Sequence, residues 1–587
     1  MENNFFQEGV KDKEEVEGTP SITDFQEKNI SIDMDGEKEE NVYQRFVSSH
    51  PVFFKYCRLA VVHIVAVAYF AAATYSWKTK KEDTGFNWCN GYGLLLLIYT
   101  SIYGRLLYVH IFEKHLCNAL KKTCCARFNL VNYKNSGQMI EIGVCVTISL
   151  AIIIFLVIDT RESRDRLIGL IGIIAIMAIG WGISKYPTKV SWKPVVWGLI
   201  FQYVLAIIFT RWPIGRSIFQ CLSEKIVVFL DFAKDGAKFV FSDKLVDNGI
   251  FAFTVMPVIV FFSFVVSILY HFGVMQYMIK KIGWLLSVTL GTTACESLHA
   301  ATTLFLGLPE TFLVIEPYLN ELTNSEIHAI MCSCFSTISG TVLAAYISYG
   351  AQPMHLITAM VMSAPAGLSF AKLLYPETKK SSTQFNNIVL KKARQTTFLD
   401  AATDGALSAI PLVLGCIANV IAFVAAVAFL NAILAWFGTL LGYPALTFEI
   451  ILAKIFTPIS YVIGVPWEEC ETVGSLIGLK TVVNELVAFQ RFGEIKKTIG
   501  FSPKAEAIAT YAISGFSNPG SLGVCVGSLS AMANEKKDAI SGTVIRAFVG
   551  GIAVCFLTAS IAGMLVIEDP ESKASTLHSY NSTSLIL

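Results

Sequence analysis

Glu310 and Glu485 stand in runs too apolar to form a water-facing surface. The first follows Phe305-Leu306-Gly307-Leu308-Pro309, and the second closes Gly478-Leu479-Lys480-Thr481-Val482-Val483-Asn484. A lone carboxylate removed from water is costly, so each must meet an aqueous cavity, a ligand, a cation or a hydrogen-bond donor. A polar organic solute bearing hydroxyl and amide groups suits two such acceptors. A second feature is Phe516-Ser517-Asn518-Pro519-Gly520-Ser521. Proline and glycine there break a helix and expose backbone dipoles, while Asn518 and Ser521 add an amide and a hydroxyl. Ser336-Thr337-Ile338-Ser339-Gly340-Thr341 offers carbonyls and hydroxyls suited to a small cation. The plainer reading of both segments is a kink whose side chains cap its own backbone. Glu296, at an expected hairpin bend, and Glu506, near a helix start, are more ambiguous candidates for ligand or ion contact. His299 and His328 read as local helix contacts rather than a proton relay, and Phe489 as aromatic core.

Such groups need a scaffold that keeps them from lipid, and the composition says which kind. Of 587 residues, 54% are hydrophobic and 16% charged, against roughly 25% charge in a soluble domain. This is the balance of an all-α polytopic membrane protein. Residues 1–45 differ, with 13 Asp or Glu against four Lys and one Arg; they read as an acidic, disordered cytoplasmic tail. No cleavable signal pattern precedes the first apolar helix. The 14 cysteines are scattered without metal-binding spacing. No Walker A sequence appears, so ATP-driven transport by this chain is not expected, nor is a nucleic-acid polymer as partner.

Apolar runs near the roughly 20 residues that cross a hydrocarbon core fall at 58–77, 91–112, 139–158, 167–184, 194–211 and 250–271, and later at 327–347, 351–372, 407–436, 504–530 and 543–566. Lys55 and Arg58, the Lys114–Lys134 cluster, and Lys185, Lys189 and Lys193 fall on one side, which the positive-inside rule makes cytoplasmic. The N-terminus is then cytoplasmic and the C-terminus extracellular, where Asn581-Ser582-Thr583 is a glycosylation sequon. Residues 217–241 read as an amphipathic interfacial helix. Segments 287–310 and 456–485 are broken by Gly, Pro, Ser, Thr and acids. Their backbone suits re-entrant hairpins inside protein rather than lipid-facing spans.

Both hairpins are followed by similar stretches, Glu326 to Gly340 and Glu506 to Gly520, with Phe335-Ser336 and Phe516-Ser517 at nearly matching distances from the acid. The chain therefore reads as two repeats, each a hairpin followed by a broken helix, an arrangement that places a solute site near the midplane. The divisions are 55–160 for three N-terminal helices, 167–372 for the first part of a transporter core, 373–406 for a connector, 407–566 for the second part and 567–587 for a tail.

The segment Gly478 to Phe489 resembles the signature G-x-K-x3-N-E-F-V-A-aromatic of the concentrative nucleoside transporter family, with Leu486 in place of the phenylalanine. The stretches from Ser184 to Gln202 and from Ile338 to Gly350 resemble family segments too, and the likeness covers about residues 55–566. It implies a fold with two inverted hairpin and broken-helix repeats, working as a homotrimer in the plasma membrane. It also implies uptake of nucleosides coupled to sodium, protons or both, with no other cofactor. On this resemblance Glu485 accepts hydrogen bonds from ribose with Asn518 and Ser521, Phe516 lines the cavity, and Glu310 serves the base side. Thr341, with Thr303 and Leu306, would hold sodium. Leu308-Pro309 replaces the family's Gln-Ser/Thr, removing the amide that reads the base, and Thr303 replaces a cation-site asparagine. A proton-coupled carrier of a modified nucleoside or another polyhydroxylated solute stays open, as does a non-transporting receptor or scaffold.

Overall fold

The computed structural model describes residues 51–79, 87–108, 134–248, 250–308, 310–383, 388, 395–443 and 446–567. The acidic tail, the adjacent Cys124 and Cys125, Pro309 and the Asn581 sequon lie outside the described residues, as does the side chain of Thr341. Two compact units form, 1–130 and 131–587. All described regular structure is helical.

In the first unit α1 (Pro51–Thr79) packs against α2 (Tyr92–Leu107). Polar aromatic groups join these otherwise apolar helices. The Tyr99 hydroxyl donates to the Ala66 carbonyl at 2.7 Å, Thr74 meets the Tyr92 hydroxyl at 3.1 Å, and Trp77 stacks on Tyr92 at 4.9 Å. With little water to compete, a satisfied hydroxyl specifies register better than another methyl group.

The second unit begins with α3 (Lys134–Asp159), α4 (Ile168–Gly182) and α5 (Trp192–Thr210), then the amphipathic α6 (Pro213–Phe241). Next come α7 (Met256–His271), α8 (Val274–Leu290) and α9 (Ala294–Thr302). After a turn at Glu310–Leu313 follow α10 (Asn324–Phe335), α11 (Gly340–Ser348) and α12 (Pro353–Leu374). The remainder is α13 (Phe398–Leu440), α14 (Phe448–Val462), α15 (Cys470–Val482), α16 (Glu485–Thr498), α17 (Pro503–Ile513), α18 (Pro519–Met532) and α19 (Lys537–Leu565). Among the described residues eight helical segments are long and apolar enough to cross a membrane. The broken pairs α10/α11 and α17/α18 fall short individually because their breaks lie inside protein.

Helix starts are written in the sequence. Thr293 with Glu296, and Thr323 with Glu326, form capping boxes at α9 and α10. Asn484, Ser502 and Asn518 accept first-turn amides of α16, α17 and α18. These caps correct the expected hairpins. Gly291 (φ 74°) stops α8 and Thr293 starts α9, so the interruption at 287–296 is a stop followed by a start. The first hairpin instead climbs along α9, turns within 303–308 and returns from Glu310. Glu296 therefore stands at the hairpin's base, not its bend. The second hairpin spans 470–498 rather than 456–485, with its break at Val483-Asn484. Each hairpin is preceded by a helix packed along its first arm, α8 on α9 and α14 on α15. The 407–436 run lies within a single longer helix, for α13 continues unbroken past Pro411 to Leu440.

Polar bonds mark two opposite ends of this unit. At one, the Lys185 ammonium donates to the Tyr375 hydroxyl at 2.9 Å, Ser184 to the Leu373 carbonyl at 2.7 Å, and Lys536 to the Leu322 carbonyl at 2.9 Å. At the other, Arg166 holds Asp159 and the Met564 carbonyl, and Arg211 also pairs with Asp159. Between them α10, α12, α17 and α19 form the buried centre.

Candidate functional site

Two broken helices meet in that centre. The Phe516 amide, in the break between α17 and α18, donates to the Thr337 carbonyl in the break between α10 and α11, at 3.3 Å. The Cys555 thiol donates to the Ser514 carbonyl at 3.4 Å and lies 3.7 Å from the Ser336 carbonyl, so α19 stitches both breaks. A Cβ on Gly515 would stand 2.5 Å from that sulfur and 3.0 Å from the Phe335 carbonyl, and one on Gly551 only 2.4 Å from the Phe335 Cβ. Only glycine permits this crossing.

The second hairpin closes on the break from both sides. Glu485 begins α16 and is 6% exposed; Asn518 begins α18 and is 2% exposed. The Asn518 Nδ2 donates to the Glu485 carboxylate and, at 3.0 Å, to the Ser521 hydroxyl, while its Oδ1 accepts the Ser521 amide at 2.9 Å. The structure thus joins three of the expected residues into one cluster. Phe516, half-buried, packs against the main apolar core. Beneath the cluster the fully buried Tyr346 stacks on Phe489 at 4.3 Å, with its hydroxyl beside the Glu485 carboxylate. Phe489 is core, as its sequence context suggested.

Lys480 lies within the Gly478–Phe489 segment, which by itself assigns it no role. It is completely buried, and its ammonium donates to the Ser517 hydroxyl at 2.5 Å and lies 3.8 Å from the Cys555 sulfur. Two successive residues of the break are therefore held by opposite charges of one hairpin, Ser517 by Lys480 and Asn518 by Glu485. A lysine on an arm as apolar as α15 was the available signal.

The first hairpin presents a looser set. Glu310 heads its returning arm with a buried Oε2 that has no donor among the described residues. No hydrogen bond among the described residues links it to the Glu485 cluster. Leu308 is half-buried and packs against an apolar cluster. Thr303 is buried with its hydroxyl donating to the Ala300 carbonyl at 2.9 Å, and the Leu306 amide bonds the Thr302 carbonyl at 3.0 Å. A Cβ on Gly340 would lie 3.3 Å from the Phe305 carbonyl. The tip carrying Thr303 and Leu306 therefore abuts the start of α11, where Thr341 stands. Among the described residues no group of three or more His, Cys, Asp or Glu could hold a metal ion.

The ambiguous acids resolve into structural roles. Glu296 pairs with Lys372, and Glu506 with Lys496 at 2.6 Å. His299 stacks on Phe312 at 5.5 Å with its Nε2 3.4 Å from the Cys334 sulfur, and His328 packs against the Tyr375 ring.

Three family descriptions match consecutive parts of the chain: "Na+ dependent nucleoside transporter N-terminus" over residues 171–244, "Nucleoside recognition" over 252–353, and "Na+ dependent nucleoside transporter C-terminus" over 355–563. The chain is 40% identical over 496 residues to solute carrier family 28 member 3 of Eptatretus stoutii, covering 81% of this chain and 71% of that one. It is 42% identical to the Rattus norvegicus protein of the same name, covering 71% and 61%. Against sodium/nucleoside cotransporter 1 of Oryctolagus cuniculus it is 37% identical, covering 92% and 81%. Among solved structures it is similar to CNTnw in an inward-facing substrate-bound state, with TM-score 0.65, 36% identity, and coverage of 68% of this chain and 98% of that one. A CNTnw variant in an outward-facing state gives TM-score 0.66 at 35% identity, with coverage of 68% and 98%.

Proposed function

The chain belongs to the sodium-dependent, concentrative nucleoside transporter family, and from that premise we propose that it carries nucleosides across the plasma membrane by sodium-coupled symport. The Glu485–Asn518–Ser521 cluster carries this reading. It sets an anionic acceptor, an amide and a hydroxyl side by side at the meeting of a hairpin and a broken helix. That set matches the vicinal hydroxyls of a ribose, which donate to the carboxylate and accept from the amide. In the described state Asn518 occupies the Glu485 carboxylate, so a sugar hydroxyl competes for an acceptor already oriented. Phe516 lines the cavity, and Glu310 takes a donor from the base, with Leu308 and Pro309 as its altered neighbours. Sodium sits where the tip bearing Thr303 and Leu306 meets the Thr341 end of α11. Its binding ties the first hairpin to the break and so to the nucleoside. No bond is made or broken in the cycle, and hairpin rearrangement opens the site to either side.

The same reading orients the molecule. The end bearing Lys185, Lys189, Lys193, Lys372, Lys379 and Lys380 is cytoplasmic, and the Asp159–Arg166 end is external. The protein works as a homotrimer with one site in each protomer. Counterflow tests the carrier reading. Vesicles preloaded with unlabelled nucleoside should transiently accumulate labelled nucleoside above equilibrium. Preloading with free base or sugar should not drive this. Equal stimulation by free sugar would transfer the assignment to another polyhydroxylated solute.

A further inference from the structure

The connector after α12 does not leave the cytoplasmic end directly but lies back across the base of the first hairpin. Ser325 donates to the Tyr375 carbonyl at 2.7 Å, Thr323 to Glu377 at 2.8 Å, and Ser381 to the fully buried Glu326 at 2.6 Å. Thr383, itself buried, donates to the same Glu326 oxygen at 3.3 Å, and Lys372 reaches Glu377 at 3.5 Å while pairing with Glu296. Within this seated stretch Ser382 points outward. It is exposed, as are Lys379 and Lys380 before it, and its hydroxyl is 3.5 Å from the exposed Glu321 on the hairpin's returning arm.

We propose that Ser382 is a phosphorylation site for a serine/threonine kinase that reads basic residues two and three positions upstream, and that the phosphate unseats the connector from the hairpin base. Lys380 and Lys379 occupy those two positions, and kinase clefts select substrates by such charge patterns. In the transfer the Ser382 oxygen bonds the γ-phosphorus of ATP, the bond to ADP breaks, and the hydroxyl proton leaves to the kinase's base. The product adds close to two negative charges beside Glu321 and one residue from the Ser381–Glu326 bond. Like-charge repulsion then opposes the contacts that hold 375–383 down. Freed from the connector, the first hairpin opens more readily toward the cytoplasm. The proposal rests on the orientation given above, and the test separates the two.

Purified full-length protein in detergent is incubated with ATP and the catalytic subunit of a basic-directed kinase, then mapped by mass spectrometry. Phosphate should appear at Ser382, vanish in Ser382→Ala and fall at least fivefold in Lys379→Ala/Lys380→Ala. Trypsin should cut after Lys379 and Lys380 faster in the phosphorylated protein and in Ser382→Glu. Uptake by Ser382→Glu, normalised to surface protein, should show at least a twofold higher maximal rate with little change in KM, while Ser382→Ala matches wild type. Absence of phosphate at Ser382 in the detergent sample, or unchanged proteolysis and uptake in Ser382→Glu, overturns the proposal. Labelling in detergent and in right-side-out vesicles, but not in inside-out ones, would contradict the orientation and leave the site intact.

Discussion

Glu485 accepts from Asn518 in a place almost closed to water, so its replacement acts on the substrate's hydrogen bonds and on the resting cluster together. Glu485→Gln keeps the shape and loses the charge; Glu485→Ala loses both. A hydrogen bond to a charged group contributes about 1.5–3 kcal/mol, or roughly ten- to a hundredfold in affinity. Nucleoside KM should therefore rise by about that factor in Glu485→Gln, with transport nearly lost in Glu485→Ala at normal surface abundance. Kinetics with 2′- and 3′-deoxynucleosides check the assignment, because the variant should discriminate less against them than wild type. Normal transport by Glu485→Ala would place the carboxylate outside the site. At the first hairpin, Leu308→Gln with Pro309→Thr introduces an amide and a hydroxyl beside Glu310, whose Oε2 has no donor among the described residues. Relative affinities for adenosine, guanosine, uridine and cytidine should shift while the ribose requirement persists. Unchanged selectivity in an active variant would remove these residues from base recognition.

At the scale of elements, the crossing of the two breaks depends on backbone approach. Gly551→Ala would press a methyl group to 2.4 Å from the Phe335 Cβ, and overpacking of this kind costs about 1–3 kcal/mol. A thermal midpoint several degrees lower in detergent, with surface expression reduced, is the expected result, whereas Gly542→Ala, with open space at its Cβ, should match wild type. Lys480→Met tests the other side of the clamp. Ser517 loses its charged partner, so Asn518 is less well positioned, and KM should rise more than the maximal rate falls. An unchanged KM would make Lys480 purely structural. The elements themselves show how far sequence could go. Uniform spans such as α3 were legible because length and hydropathy suffice. The hairpin bends were not, since Gly291 and Thr293 end one helix and cap the next with the same residue types that would break a re-entrant loop. Asn518 and Ser521 were legible because proline and glycine mark the break. Lys480 stood out on its apolar arm, but its role was not legible because its partner, Ser517, lies 37 residues away and no local pattern reveals that pairing.

For the whole molecule, topology and coupling are the properties at stake. On the proposed orientation, a cytoplasmic N-terminus and an odd number of crossings would make Asn581 luminal during synthesis, so glycosidase treatment should increase gel mobility and Asn581→Gln should match the treated protein. A band insensitive to both would contradict the external C-terminus. The central claim is that a sodium gradient drives nucleoside uptake through the Glu485 cluster. Its most direct test is radiolabelled nucleoside uptake into transporter-null cells, with external sodium present or replaced by an impermeant cation, for wild type and Glu485→Ala at equal surface abundance. The account predicts saturable wild-type uptake that rises with sodium and falls to background in its absence, and uptake near background in the variant throughout. Equal wild-type uptake with and without sodium, or full sodium-driven uptake by Glu485→Ala, would contradict it.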